Sequence, residues 1–331
     1  MENETNRKPL LHVENLCKYF QITKHETLKA VDGISFDIFK GETLGVVGES
    51  GCGKSTLGRC IVRLYKPTSG KIEYDGQDIT TLKNRAEELN YCKRVQMIFQ
   101  NPYSSLNPRM TVLDTVGEGI RLYHKDYNRQ QVSDAVEELL EKVGLGRDHI
   151  SRFMHEFSGG QKQRIGIARA LSVNPEFIVC DEPISALDVS IQAQVINMLK
   201  HLQKDMGLTY MFIAHDLSMV KYISDRIVVM YLGSVMEECS ARVLYEHPLH
   251  PYTQGLLSAI PEPDPIRAKQ AKDIIKGEIP SPINPKPYCK FAGRCPFVEP
   301  ICRQSIPELR EIEPGHLIAC HLAEKMKGEK A

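Results

Sequence analysis

The chain has 331 residues, 42 of them basic and 42 acidic, so its formal net charge is zero. That length allows about two domains with an ample core, and the balanced charge leaves no electrostatic footprint for nucleic acid. No apolar run approaches the roughly 18 residues of a membrane-spanning helix, and the polar, charged opening from Met1 to Lys8 carries no apolar leader. Ten cysteines without a leader favour reduced thiols or metal ligands over a disulfide framework.

In chain order, Leu11 to Phe20 reads as a strand running into a loop, and Ile34 to Ile38 alternates apolar and polar residues like a half-buried strand. The apolar run Thr43-Leu44-Gly45-Val46-Val47 then leads into Gly48-Glu49-Ser50-Gly51-Cys52-Gly53-Lys54-Ser55-Thr56. Leu57, Ile61 and Leu64 follow at i, i+4 and i+7, the spacing of one helical face. This is G-x-x-x-x-G-K-[ST] in the strand–loop–helix setting the motif requires. Glycines let successive backbone N–H groups turn inward, and the helix start adds the positive end of its dipole, so the stretch predicts phosphate capture. Lys54 can reach the β- and γ-phosphates and the Ser55 hydroxyl can ligate Mg²⁺. Cys52 occupies a variable position of the loop and is expected to be tolerated there, not to be catalytic.

Lys71 to Tyr74 with Asp75-Gly76 reads as a strand and turn. With the two earlier strands it predicts an antiparallel layer beside the nucleotide core. Val95 to Phe99 reads as a buried strand ending at Gln100. The stretch from Pro102 to Met154 changes character and reads as a helical insertion. Its best helix, Gln130 to Val143, carries Val132, Val136, Leu139, Leu140 and Val143 on one face and closes at Gly144. Next comes Ser158-Gly159-Gly160-Gln161 before a helical run to Leu171, a second anion site at a helix N-terminus. The apolar strand Phe177 to Cys180 delivers Asp181 and Glu182 at its carboxyl end, where ligands bind in open α/β sheets. After Asp188, a helix with Val195, Leu199, Leu202 and Met206 in register ends at Gly207. Tyr210 to Ala214 is another buried strand presenting His215 and Asp216, and Ile227 to Met230 with the segment after Gly233 forms a closing pair. Beyond Leu244 lie thirteen of the 19 prolines, which reads as an appended, loop-rich region held by something other than a large core.

Residue type assigns roles. Asp181 suits a Mg²⁺ partner, directly or through water, and Glu182 is the candidate that polarises the attacking water. His215 can hydrogen-bond the γ-phosphate and sense its loss. Gln100 can reach Mg²⁺ or the water and relay that state to the insertion. A lone strand-end carboxylate or histidine is more often a structural group, but the ordered set outweighs that reading.

Taken together, these motifs resemble the nucleotide-binding subunit of ATP-binding-cassette (ABC) transporters, from about Leu10 to Cys239. The pieces arrive in family order: P-loop, Gln100, Ser158-Gly159-Gly160-Gln161, Asp181-Glu182, Asp188 and His215. The resemblance implies an α/β P-loop NTPase cassette over residues 1–240, with a parallel core sheet, an antiparallel β-subdomain and a helical subdomain at about 101–157. A small Cys/Pro-rich region, 241–331, follows. It implies ATP and Mg²⁺ as cofactors, with Mg²⁺ on Ser55, Gln100 and Asp181, and it puts Phe20 at the adenine-stacking position with Tyr19 the adjacent alternative. It also implies a head-to-tail dimer in which Ser158 to Gln161 of one chain completes the ATP site of the other.

A narrower resemblance spans nearly the whole chain. Asn101-Pro-Tyr-Ser-Ser-Leu-Asn-Pro108, His155-Glu-Phe-Ser158, His247-Pro-Leu-His-Pro-Tyr252 and Gly277-Glu-Ile-Pro-Ser-Pro282 are similar to the ATP-binding subunits of dipeptide/oligopeptide importers, a subfamily that also includes nickel importers. The partners it implies are two transmembrane permease subunits, a sister ATPase subunit or a second copy, and indirectly an extracytoplasmic peptide-binding protein, with no nucleic acid. The implied location is the cytoplasmic face of the cell membrane, peripheral through the permeases. Cys289, Cys295, Cys302 and Cys320 are separated by five, six and seventeen residues, wider than the about two to four of a zinc knuckle. The subfamily resemblance associates them with a [4Fe–4S] cluster, favoured here over zinc, for which His316 and His321 could serve. Rival readings are a soluble ABC ATPase acting on ribosomes or DNA, and a module that holds nucleotide without turnover. The first lacks its tandem cassettes or long coiled coils here, and Glu182 and His215 oppose the second.

Overall fold

The computed structural model describes residues 7–260, 275 and 277–328; most of the segment read for a leader lies outside them. The chain folds as two units. One comprises the chain up to Ile38, Thr43–Thr80 and everything from Ala214 onward; the other comprises Phe39–Glu42 and Thr81–Ile213. Among the described residues no helix is long and apolar enough to cross a membrane.

The first unit contains two sheets. In the antiparallel one, Thr27–Ile38, Leu11–Gln21, Ser69–Tyr74 and Gln77–Asp78 pair in that order. Leu11, Val13 and Leu16 face inward, fully buried, and Asp75 and Gly76, both at positive φ, make the two-residue turn that closes the last hairpin. The strand expected at Ile34 to Ile38 is the end of a longer one beginning at Thr27. In the other sheet Thr43–Val47 runs parallel to Arg226–Tyr231, which pairs antiparallel with Ser234–Ser240. All five residues of Thr43–Val47 are buried. Gly45 is required there because an added Cβ would lie 2.6 Å from both Val220 Cγ1 and Ser224 Oγ at the helix Leu217–Ile223.

The proline-rich region is built onto this second sheet. His316–Ile318 adds a strand through Glu237↔Ile318, and Arg310–Glu313 adds another. Glu237, fully buried, accepts hydrogen bonds from the Leu249 and His250 N–H groups, and its carboxylate meets His316 Nε2 at 2.7 Å. His250 Nδ1 accepts from the Tyr252 N–H at the start of the helix Pro251–Ser258, and burial pushes the His250 pKa down to about 4. Tyr231, Tyr252 and Phe291 pack in tilted and T-shaped contacts with centroids 4.7–5.4 Å apart. An aromatic cluster and strand addition therefore hold the described part of this region.

The second unit carries the parallel strands Val95–Ile98, Phe177–Asp181 and Thr209–Ile213. The helices Val112–Tyr123, Arg129–Lys142 and Gly159–Leu171 pack on one another. Arg129–Lys142 opens with an Asn128/Gln131 capping box and ends before Gly144 at φ 71, close to its expected span. Val112–Tyr123, capped by Thr111, lies within the expected helical insertion, whereas the polar helix Arg85–Arg94, capped by Asn84, falls where no helix is predicted. The helix after the P-loop is shorter than its apolar spacing predicts. It ends at Ile61, Arg63 turns the chain at φ 60, and Leu64 is 56% exposed while Leu57 and Ile61 are fully buried.

Candidate active site

In the first unit, the P-loop leaves the strand Thr43–Val47 at Gly48 and enters the helix Lys54–Ile61 at Gly53. Gly48 and Gly53 have φ of 149° and 105°. A Cβ at Gly48 would lie 2.1 Å from the Met230 carbonyl, and one at Gly53 would lie 2.0 Å from the Ala30 carbonyl. Only glycine fits these close backbone approaches. No side chain caps the helix start, and the positive end of its dipole there favours an anion. Ser50 and Gly51 are exposed, Ser55 and Thr56 half-buried, and Cys52 buried. The buried Lys54 ammonium donates to the Gly48 and Glu49 carbonyls at 2.7 and 3.1 Å, which holds it over the loop. Burial pushes the Cys52 thiol pKa up, against the pull of Lys54, so it is not poised as a nucleophile.

His215 belongs to the same unit. The Ala214 N–H donates to the Val46 carbonyl at 3.2 Å, so the exposed His215 leaves the sheet beside the start of the P-loop. Asp216 caps the helix that follows, accepting from the Ser218 N–H at 2.8 Å. Tyr19 and Phe20 are distinguished by their partners. The Tyr19 hydroxyl donates to Asp32, whose other oxygen meets the buried Lys290 ammonium at 2.9 Å. Among the described residues, the Phe20 ring meets Tyr65 in a T-shaped contact at 5.6 Å and the Lys18 ammonium at 4.9 Å. Tyr19 is thus a structural residue, and Phe20 keeps a half-buried ring face.

In the second unit, Asp181 is fully buried at the end of its strand, in register with Ile213. At Glu182 the backbone turns into the left-handed region at φ 46, its N–H donates to the Ile213 carbonyl at 2.9 Å, and its carboxylate accepts from the Gln100 amide at 2.8 Å. Neighbouring carboxylates are therefore set in different environments. Asp181 is held inside; Glu182 is half-buried and tied to Gln100. Ser158 caps the helix Gly159–Leu171, accepting from the Gln161 N–H at 3.3 Å while Gln161 Oε1 accepts from the Ser158 N–H at 3.0 Å. This helix start lines a cavity of about 590 Å³ that also takes in Arg164 and the exposed Asp188, which sits at the N-cap of the helix Val189–Met206. Neither Gln100 nor Glu182 lines that cavity.

Two residues outside the expected set hold the P-loop through Glu49, a loop residue that set also omits. The Tyr252 hydroxyl accepts from the Glu49 N–H at 2.9 Å, and Arg294 makes a bidentate ion pair with the Glu49 carboxylate at 2.6 and 2.9 Å. These partners lie 203 and 245 residues from Glu49, so no local spacing signals them.

The four C-terminal cysteines share one neighbourhood without forming a disulfide. Cys289 N–H donates to the Cys302 carbonyl at 3.2 Å. Burial first, and then the other thiols, push the pKa of Cys289 and Cys320 up to about 11. Among the described residues, however, no group of three or more His, Cys, Asp or Glu side chains is disposed to hold a metal ion. The expected [4Fe–4S] set, and the zinc alternative with His316 or His321, is therefore not gathered here: metal ligation needs thiolates, and burial pushes the Cys289, Cys295 and Cys320 thiol pKa values up. His316 is instead committed to Glu237, and His321 to the Ser305 carbonyl at 3.0 Å.

The family described as ABC transporter matches residues 31–185, and that described as oligopeptide/dipeptide transporter, C-terminal region, matches residues 236–302. YkfD of Bacillus subtilis (strain 168) is 58% identical over 318 residues, 96% of this chain and 96% of that protein. The oligopeptide transport ATP-binding protein OppF of the same organism is 53% identical over 315 residues, 95% of this chain and 97% of its own length. Among solved structures, the dimeric post-hydrolysis form of the ATP-binding cassette MJ0796, bound to ADP and Pi, superposes with a TM-score of 0.64 at 28% identity, covering 70% of this chain and 99% of that one.

Proposed function

The chain belongs to the ABC transporter family, in its oligopeptide-transport ATP-binding branch, and on that premise we propose that it hydrolyses ATP to energise oligopeptide uptake through a membrane importer. The observation that carries the reading is the match at both ends of the chain: relatives named for oligopeptide transport align along nearly its full length, and the peptide-transporter C-terminal region aligns with 236–302.

The roles follow from chemistry. Lys54 and the N–H groups of the P-loop, from Gly48 through Ser50, Gly51, Cys52 and Gly53 to Ser55 and Thr56, hold the phosphates, and Phe20 stacks on adenine. Ser55, Gln100 and Asp181 present hard oxygen donors that suit Mg²⁺, which neutralises phosphate charge when bound. Glu182 takes the proton of the attacking water, His215 answers the γ-phosphate, and Ser158, Gly159, Gly160, Gln161 and Asp188 act on the nucleotide of a second ATPase chain, a sister subunit or another copy. The cassette occupies about 1–240, with the helical subdomain at 101–157 facing two permease subunits, and 241–331 is the importer-specific region. The subunit works at the cytoplasmic face of the membrane, held there by its permeases, and an extracytoplasmic binding protein supplies peptide.

Uptake measurements test this reading. Deleting the chain from its transporter should abolish accumulation of a labelled oligopeptide, and restoring it should recover uptake. Recovery of nickel uptake without peptide uptake would transfer the reading to a nickel importer. Co-purification with ribosomes in place of permeases would overturn transport altogether.

A [4Fe–4S] cluster on Cys289, Cys295, Cys302 and Cys320 would require these thiols to lose their protons and draw together. The reading is supported by their shared neighbourhood, in which the Cys289 N–H donates to the Cys302 carbonyl at 3.2 Å and Cys320 lies within electrostatic reach of the other three. Anaerobically purified protein should then be brown, with iron and sulfide at about four per chain. Colourless protein containing zinc would replace the cluster with zinc, and metal-free protein would remove both.

A further inference from the structure

The phosphate-binding loop is rich in glycine, and glycine gives a loop no stiffness of its own. Gly48 and Gly51 flank Glu49 and Ser50 at φ 149° and 76°. Yet every polar group of Glu49 is fixed. Its N–H donates to the Tyr252 hydroxyl at 2.9 Å, and its carboxylate receives Arg294 Nη1 and Nη2 at 2.6 and 2.9 Å. Its carbonyl accepts from Lys54 Nζ at 3.1 Å and from the Cys52 N–H at 3.3 Å.

The anchors are themselves rigid. Arg294 follows the Phe291 turn, donating its N–H to the Phe291 carbonyl at 2.9 Å, and Phe291 is 1% exposed within the Tyr231–Tyr252 cluster. The Arg294 side chain is 6% exposed and also reaches the Tyr231 hydroxyl at 3.4 Å. A bidentate guanidinium–carboxylate pair fixes orientation as well as distance, and at this depth solvent screens it little.

We propose that Arg294 and Tyr252 are positioning residues for ATP binding: acting through Glu49, the C-terminal region holds the P-loop in its phosphate-binding form and sets the reach of Lys54. The proposal rests on the reading of this loop as the ATP site. A simple strap between the C-terminal region and the cassette would stabilise the fold and leave nucleotide affinity alone. A positioning contact changes affinity, because releasing Glu49 moves the carbonyl on which Lys54 rests.

The test is equilibrium ATP binding by the full-length chain, with turnover measured in the assembled transporter. Arg294→Gln and Glu49→Gln should each weaken ATP binding by about tenfold, the loss of one charge-assisted pair. The double variant should be no weaker than either single, since both remove the same contact. KM for ATP should rise with kcat within about twofold, and Arg294→Lys should recover part of the affinity. If Arg294→Gln does not fold, Glu49→Gln reads the same contact from its half-exposed side. Unchanged affinity with a lowered Tm would reduce the contact to a strap and overturn the proposal, and so would additive losses in the double variant. Lys54→Ala separates the two levels. Lost binding in Lys54→Ala beside normal binding in the Glu49 and Arg294 variants rejects the positioning role alone, whereas retained binding in Lys54→Ala rejects the P-loop reading and the proposal with it.

Discussion

Glu182→Gln should lower ATP turnover by about 10²–10⁴-fold, the usual worth of a positioned general base, while ATP affinity stays within about twofold. The substitution keeps the size of the side chain and its capacity to accept the Gln100 amide, which donates to Glu182 at 2.8 Å. It removes the ability to take a proton. The backbone argues for chemistry at this position over structure. Glu182 sits at φ 46, a conformation that costs a residue with a Cβ about 1–3 kcal/mol and persists where the surroundings impose it. Here the N–H bond to Ile213 at 2.9 Å imposes it, turning Glu182 out of the strand while Asp181 stays fully buried in register. Turnover of the assembled transporter at saturating Mg-ATP, beside equilibrium ATP binding, checks the split. Turnover within about threefold of wild type would assign the base elsewhere.

What could be read ahead of the structure was local. The P-loop, the helix start after Ser158, the strand delivering Asp181 and the helix ends at Gly144 and Gly207 are each specified by residues within a few positions of one another. Local chemistry decided them in the fold. The helix Val112–Tyr123 shows how tertiary contact hides a signal. Its Val112, Val116 and Ile120 are buried at helical spacing behind a Thr111 cap, yet Gly117 and Gly119 lower its intrinsic propensity. Those glycines answer to packing: a Cβ at Gly119 would lie 2.4 Å from Ser172 Oγ, and one at Gly117 would lie 3.0 Å from Val132 Cγ1. Arg85–Arg94 was hidden for the opposite reason, since only Tyr91 is buried and no apolar stripe exists. The Glu49–Arg294 pair and the Glu237–His316 contact join residues 245 and 79 positions apart, which no spacing rule reaches. The four cysteines mark the limit of composition: their number suggested ligands, but burial and distance decide whether thiols become ligands.

The second large effect is expected at the start of the helix Gly159–Leu171. Ser158 Oγ already serves the Gln161 N–H, so the remaining first-turn N–H groups have no intrahelical acceptor and the dipole concentrates positive potential there. Gly160→Asp would put a fixed carboxylate where the phosphate of a partner chain's nucleotide is proposed to dock. The added Cβ meets Ile191, with Cγ2 at 2.8 Å, so this β-branched side chain must shift to admit it. An acidic residue in the first turn stabilises a helix by about 0.3–1 kcal/mol, which offsets part of that cost, and ATP binding by the chain's own P-loop should be unchanged. Turnover in the transporter should nonetheless fall on the order of 100-fold, comparable to losing one fixed donor to a developing anion. Gly160→Ala separates charge from size: it demands the same movement of Ile191 without the carboxylate, and its loss should be far smaller. Equal losses in the two variants would make crowding the cause. A G160D chain hydrolysing ATP at the wild-type rate would mean that no phosphate visits this helix start, and a site shared between two chains could not be built from it.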